Sequence, residues 1–154
     1  MIEVNIEEFQ EKYVQKFYEL NIAWLEEFFY VEDYDREVLS NPKKYIIDKG
    51  GIILFAITEG KVAGTLALIN RENDGFELSK MAVSKEFQGL KIGQKLMYAA
   101  IHRAGGLKTP RLFLDSNTKL TPAITLYHKV GFKEIPVPSD TPYERCNIRM
   151  EIKL

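Results

Sequence analysis

Apolar and polar positions alternate through Ile2-Glu3-Val4-Asn5-Ile6, as in a short half-buried strand. The period then lengthens. Phe9, Tyr13, Phe17 and Leu20 recur at helical spacing and predict a long amphipathic helix, continued by the aromatic run Trp24-Leu25-Glu26-Glu27-Phe28-Phe29-Tyr30. Asp33 to Tyr45 is acidic and broken by Asn41-Pro42, which reads as a loop and a short second helix. Gly51 to Thr58 is nearly all apolar, and Lys61 to Asn70 resumes after Glu59-Gly60, so the two predict a hairpin. Asn73-Asp74-Gly75 is a second turn, leading into a strand from Phe76 to Val83. A helix from Ile92 to about Ala104 follows, with Ile92, Leu96, Ala99, Ala100 and Ile101 as its buried stripe and Gly105-Gly106 as its stop. Arg111 to Asp115 reads as a strand. Thr121-Pro122 opens the next helix, with a capping hydroxyl and Pro at the first helical position, and Gly131 ends it. Phe132 to Val137 and Cys146 to Ile152 are the final strands, joined by a Pro-rich segment from Pro136 to Pro142.

The order β-αα-β-β-β-α-β-α-β-β gives an α/β (α+β) fold: a mixed, mostly antiparallel sheet of about seven strands flanked by about four helices. A chain of 154 residues without a repeat or a long linker is expected to be one domain, 1–154. The net charge of -1 and the lack of a basic run argue against nucleic acid as a partner. The single cysteine, Cys146, excludes an intramolecular disulfide and suits a reducing compartment. No signal-like N-terminus and no run of roughly 20 apolar residues is present, so a soluble cytoplasmic protein is expected. No metal-ligand spacing occurs; His128 reads as a surface or partly buried residue and His102, beside Arg103, as a helix-end residue favouring the dipole, neither with a catalytic role.

The chemistry concentrates at Gln88-Gly89-Leu90-Lys91-Ile92-Gly93-Gln94, between a strand and a helix. The first amides of a helix lack internal partners and face outward with the positive end of the dipole, so a phosphate or pyrophosphate fits there. Glycines let it approach closely. A P-loop is excluded, because Gln94 stands where its second glycine would be. A dinucleotide fingerprint is excluded because its third glycine and its spacing are missing.

This turn resembles the pyrophosphate loop of the GCN5-related N-acetyltransferase (GNAT) superfamily, Gln/Arg-x-x-Gly-x-Gly/Ala. Gln88 and Gly93 match it, whereas Lys91 replaces the usual middle glycine. A second likeness lies in Asn117 and in Leu126-Tyr127 followed by Gly131-Phe132, with Asn117 ten positions before Tyr127, a longer spacing than in many members. The element order agrees over essentially the whole chain. The resemblance implies a GNAT-type acyl-CoA N-acyltransferase fold and acetyl-CoA as acyl donor without a metal. The acetyl group would pass to a primary amine of a small molecule or protein by direct attack through a tetrahedral intermediate. An acyl-CoA sensor or interaction module of the same fold is the alternative, and homodimers are common in the family.

The resemblance also assigns residues. The phosphates would use Gln88, Gly89, Leu90, Lys91, Ile92, Gly93 and Gln94, and the amide-rich arm would pair with the strand edge at Met81, Ala82 and Val83, with Asn117 nearby. Leu78 lies on the opposite parity to Met81 and Val83, and the bulge common in the family would restore one buried face. Tyr127, whose phenol carries a proton at neutral pH, would protonate the leaving thiolate. Glu77 is the base candidate for the protonated amine, with an ordered water as the alternative. The acceptor would lie between Trp24–Tyr34 and Tyr143-Glu144-Arg145. Glu26, Glu27, Glu32, Asp33 and Asp35 there would favour a cationic amine or form a solvated face, and Arg145 and Arg149 would hold a carboxylate or be solvated.

Overall fold

The computed structural model describes residues 3–139 and 145–154. Seven strands form one sheet in the order β1-β2-β3-β4-β5-β7-β6. They are β1 (Asn5–Glu8), β2 (Ile52–Thr58), β3 (Lys61–Asn70), β4 (Phe76–Val83), β5 (Arg111–Ser116), β6 (Lys133–Ile135) and β7 (Ile148–Lys153). Neighbours run antiparallel except β4 and β5, which are parallel. The helices are α1 (Val14–Phe28), α2 (Asp33–Ser40), the single turn α3 (Pro42–Tyr45), α4 (Ile92–Gly105) and α5 (Thr121–Lys129).

β2 is apolar throughout because both of its faces are covered. Ile53 and Phe55 meet α1 to α3, while Leu54 and Ala56 meet the layer holding α4 and α5. Phe17 of α1 is fully buried there, and the Tyr13 ring lies 4.8 Å from that of Phe55. On the other face α4 buries Ile92, Leu96, Met97, Ala100 and Ala104, so the stripe includes Met97 and Ala104, with Ala99 and Ile101 at its margins. Gly64 of β3 allows this packing, since a Cβ would come within 2.9 Å of Ile92 Cγ2 and 3.3 Å of the Ala82 carbonyl oxygen.

Several boundaries differ from the sequence reading. Ile2 lies outside the described residues, and β1 starts at Asn5, where its ladder with β2 begins. The chain makes a 3-10 turn at Glu11–Tyr13 before α1, so Phe9 precedes the helix. Leu120, not Thr121, caps α5, and the Thr121 hydroxyl makes no capping bond. β6 is only three residues long, because Pro136 has no N–H to extend the ladder. β7 begins at Ile148, leaving Cys146 before the strand, and residues 140–144 of the Pro-rich segment lie outside the described residues.

Two irregularities of β4 shape the molecule. Thr65 pairs with Ala82 and Ala67 with Ser79, so Leu66 alone faces both Lys80 and Met81. This is the expected bulge, and Lys80 takes a left-handed φ of 54° within it. Phe76 and Leu78 before it and Met81 and Val83 after it then share one buried face. The second irregularity is a splay. β4 pairs with β5 only at Phe76↔Leu112 and Glu77↔Phe113, after which the strands part.

Candidate active site

The splay exposes one edge of β4 beyond Glu77 and leads to a cavity of about 110 Å³ between the sheet and α1 and α2. Glu77, Lys80 and Met81 of β4, Asp115 and Ser116 of β5, and Tyr127 of α5 all line it. A second cavity of about 400 Å³ adjoins it and shares Asp35, Lys80 and Arg145.

Tyr127 is buried and hydrogen-bonded to the Ser116 hydroxyl. Burial pushes its phenol up to about 12, with the Ser116 bond opposing the shift, so it holds its proton at neutral pH. Glu77 is also buried, and its Oε1 accepts from Arg71 Nε at 2.8 Å and Arg71 Nη2 at 2.7 Å. Desolvation raises its pKa above the ordinary carboxylate value, and the Arg71 guanidinium only partly offsets this.

Further charge pairs build the walls. Arg149 binds Asp115 with Nε at 2.7 Å and Nη2 at 2.9 Å and stacks on the Phe113 ring, which Arg111 also covers. Arg145 joins Asp35 at 3.0 Å and Glu32 at 3.0 Å. The two arginines are therefore not solvated, and both are engaged by carboxylates of the protein itself. The acidic stretch divides likewise: Asp35 is buried and completes a capping box with Glu32 on α2, while Glu26, Glu27 and Asp33 are exposed. Tyr143 and Glu144 lie outside the described residues. The sequence reading missed Ser116, Arg71 and Lys80. Only Lys80 left a trace, as the parity break in β4.

At the other end of the slot, Gln88 and Gly89 are exposed and Leu90 and Ile92 anchor the turn to the core. None of the backbone N–H groups from Gly89 to Gln94 has an acceptor among the described residues. Gly89 has φ 87°, and a Cβ there would meet nothing within 4 Å. Lys91 takes φ 59° and ψ 32° at the N-cap of α4, the conformation that a glycine would adopt more easily. Unpaired amides, an open approach and the exposed Lys91 and Lys95 fit a diphosphate. Met81 lines the cavity, Ala82 is buried, and Val83 is half-buried on the same strand. Asn117 lines the cavity too, but its amide is used locally: Nδ2 donates to the Arg145 carbonyl at 3.0 Å, and Oδ1 accepts from the Lys119 N–H at 3.0 Å. His102 and His128 are exposed. Among the described residues, no group of three His, Cys, Asp or Glu is placed to hold a metal, and no helix is long and apolar enough to cross a membrane.

A seven-stranded sheet that splays beside a helix N-terminus defines an acyl-CoA N-acyltransferase fold. The acetyltransferase (GNAT) family model matches residues 6–132, and the chain belongs to that family. It is 26% identical, with a TM-score of 0.87, to a GNAT-family acetyltransferase from Staphylococcus aureus, covering 98% of this chain and 99% of that one. The PaiA N-acetyltransferase of Thermoplasma acidophilum, solved in complex with coenzyme A, shares the fold at 18% identity and a TM-score of 0.76, over 99% of each chain. Among curated relatives, the uncharacterized N-acetyltransferase YjgM of Escherichia coli is 31% identical over 96 residues, 60% of this chain and 58% of that protein. A Mycobacterium tuberculosis relative, also an uncharacterized N-acetyltransferase, is 30% identical over 90 residues, 58% of each chain. The matched stretch thus spans little more than half of these relatives.

Proposed function

We propose that this chain is a single-domain cytoplasmic N-acetyltransferase that passes the acetyl group of acetyl-CoA to a primary amine of a small molecule or protein. One observation carries the reading: Glu77 of β4 and Tyr127 of α5 line the same cavity at the β4–β5 splay. Family membership supports acetyl transfer, and the coenzyme A complex of a fold relative supports the donor.

Acetyl-CoA supplies an activated thioester. The amides of Gly89 to Gln94 bind its diphosphate, with Lys91 and Lys95 adding charge. Met81, Ala82 and Val83 orient the arm along the exposed edge of β4, where an amide N–H can also donate to the thioester carbonyl oxygen. Asn117 shapes the slot by fixing the loop after β5. As the C–S bond breaks, Tyr127, held by Ser116, donates its proton to the departing sulfur, and the second proton shed by the newly acylated nitrogen restores the phenol. Glu77, directly or through a water, takes the proton of the incoming ammonium, and burial raises its affinity for that proton. Residues of α1 and α2 exclude bulk water.

The test is thiol release from acetyl-CoA in the presence of an amine panel. Release above background for at least one amine is expected, and its absence when the donor binds removes the catalytic reading. A second reading, a non-catalytic acyl-CoA sensor, is favoured by the Arg71 bonds that occupy Glu77 Oε1. Tight donor binding without transfer would establish it.

A further inference from the structure

Lys80 lines both cavities, yet its ammonium makes no hydrogen bond or ion pair among the described residues. The neighbouring cations are engaged: Arg71 by Glu77, Arg145 by Asp35 and Glu32, and Arg149 by Asp115. Lys80 also sits on the bulge at a positive φ, a strained state for a side-chain-bearing residue. Desolvation lowers its pKa, and the nearby Asp35 and Glu77 only partly oppose this. A half-buried cation without a contact partner gives up part of its hydration for nothing in return, and a bound anion offsets that cost.

The charge lining differs between the cavities. Asp35, Glu77 and Asp115 outnumber Lys80 and Arg145 in the first, which holds Tyr127. In the second, Lys49, Arg71, Lys80 and Arg145 outnumber Glu32 and Asp35 among the described residues. Lys49 touches the Tyr45 ring face at 5.8 Å and has no carboxylate partner. The carboxylates of the first cavity are each matched by an arginine, so the amine end enters it to reach Glu77 and Tyr127, while an anionic end suits Lys80 and Lys49, which have no carboxylate partner among the described residues. We infer that the acceptor is an amino-acid-like amine whose carboxylate is held by Lys80 at the junction of the cavities, with Lys49 at the outer rim. A polyamine would instead set another cation beside Lys80. This inference rests on the reading that the first cavity receives the acceptor.

The test compares free L-amino acids with their carboxamides and with spermidine, following thiol release at fixed acetyl-CoA. Turnover of an acid with a kcat/KM about tenfold or more above that of its amide is expected. Lys80→Met should bring that ratio close to one, and Lys80→Arg should retain it. Equal or better use of the amides or of spermidine by the wild type overturns the inference. Glutarate, which has carboxylates but no amine, gives a readout independent of transfer. Calorimetry should show its affinity falling about tenfold in Lys80→Met and severalfold in Lys49→Met, an exposed position whose loss spares the fold. Unchanged glutarate affinity in both variants overturns the site. Glutarate binding through Lys80 without thiol release from any amine would sustain the anion site while removing the transfer reaction.

Discussion

Arg145 and Asp35, 110 positions apart, meet at 3.0 Å and tie the segment before β7 to α2. Both are shielded from solvent, and together they form the partition between the two cavities. Arg145→Ala would leave the Asp35 carboxylate buried without its guanidinium, although the capping N–H of Glu32 remains. A loss of about 1–3 kcal/mol in urea unfolding is expected. Arg145→Ala/Asp35→Ala should cost less than the sum of the single variants, and strict additivity would refute coupling.

Tyr127→Phe removes the proposed acid but keeps the ring. We expect kcat to fall about 100-fold with the affinity for acetyl-CoA unchanged, measured by steady-state kinetics and calorimetry. Loss of the Ser116 bond should lower stability by only about 0.5–1.5 kcal/mol. Because the phenol is pushed up to about 12, its ionisation should not limit the rate below pH 10. A wild-type alkaline decline near pH 9 that vanishes in Tyr127→Phe would contradict that.

Glu77 gives a pH signature of the opposite sense. As a base it works deprotonated, so activity should rise with pH through a value above 4.5, its ordinary pKa. Burial raises that pKa and Arg71 holds it down, so Arg71→Ala should move the acidic limb to higher pH. Glu77→Gln should abolish the limb and lower kcat, and persistence of the limb would reassign the base to another group. Stability follows the same linkage. The folded state favours the protonated acid, so Glu77's contribution is full below pH 4.5 and is lost as pH rises through the raised folded value.

Lys91 and Gly64 test the coenzyme end. Lys91→Gly relieves a left-handed lysine and should stabilise the protein by about 0.5–1 kcal/mol, while weakening the salt dependence of acetyl-CoA binding. Gly64→Ala drives a Cβ against Ile92, Leu96 and the Ala82 carbonyl. A cost of about 1–3 kcal/mol and weaker donor binding are expected, because α4 and its first turn must move off the sheet. Unchanged melting and affinity would show that the helix approach is not constrained there.

Local signals carried the elements and the glycine turn, because periodicity and turn chemistry are properties of short stretches. Leu78 falls visibly out of phase with Met81 and Val83, but only the resemblance to the family made that break a bulge. The partnerships were not. Arg149 and Asp115 lie on neighbouring strands joined through α5 and β6, so alternation placed Arg149 on a polar face without showing that this face is covered. Asp35 looked like one carboxylate among five, and only the docking of α2 onto the sheet separates it from its exposed neighbours. Lys80 was hidden because its isolation is a property of what surrounds it.

The single extra residue opposite Leu66 divides β4 into two modules. Glu77 and Ser79 lie before it and Ala82 and Val83 after it, and each half of the strand keeps its own register against β3. The same hinge decides what a deletion does: without Lys80 the strand could run straight with Leu78, Met81 and Val83 still on one face, so the loss would fall on the kink and on the ammonium set between the two cavities.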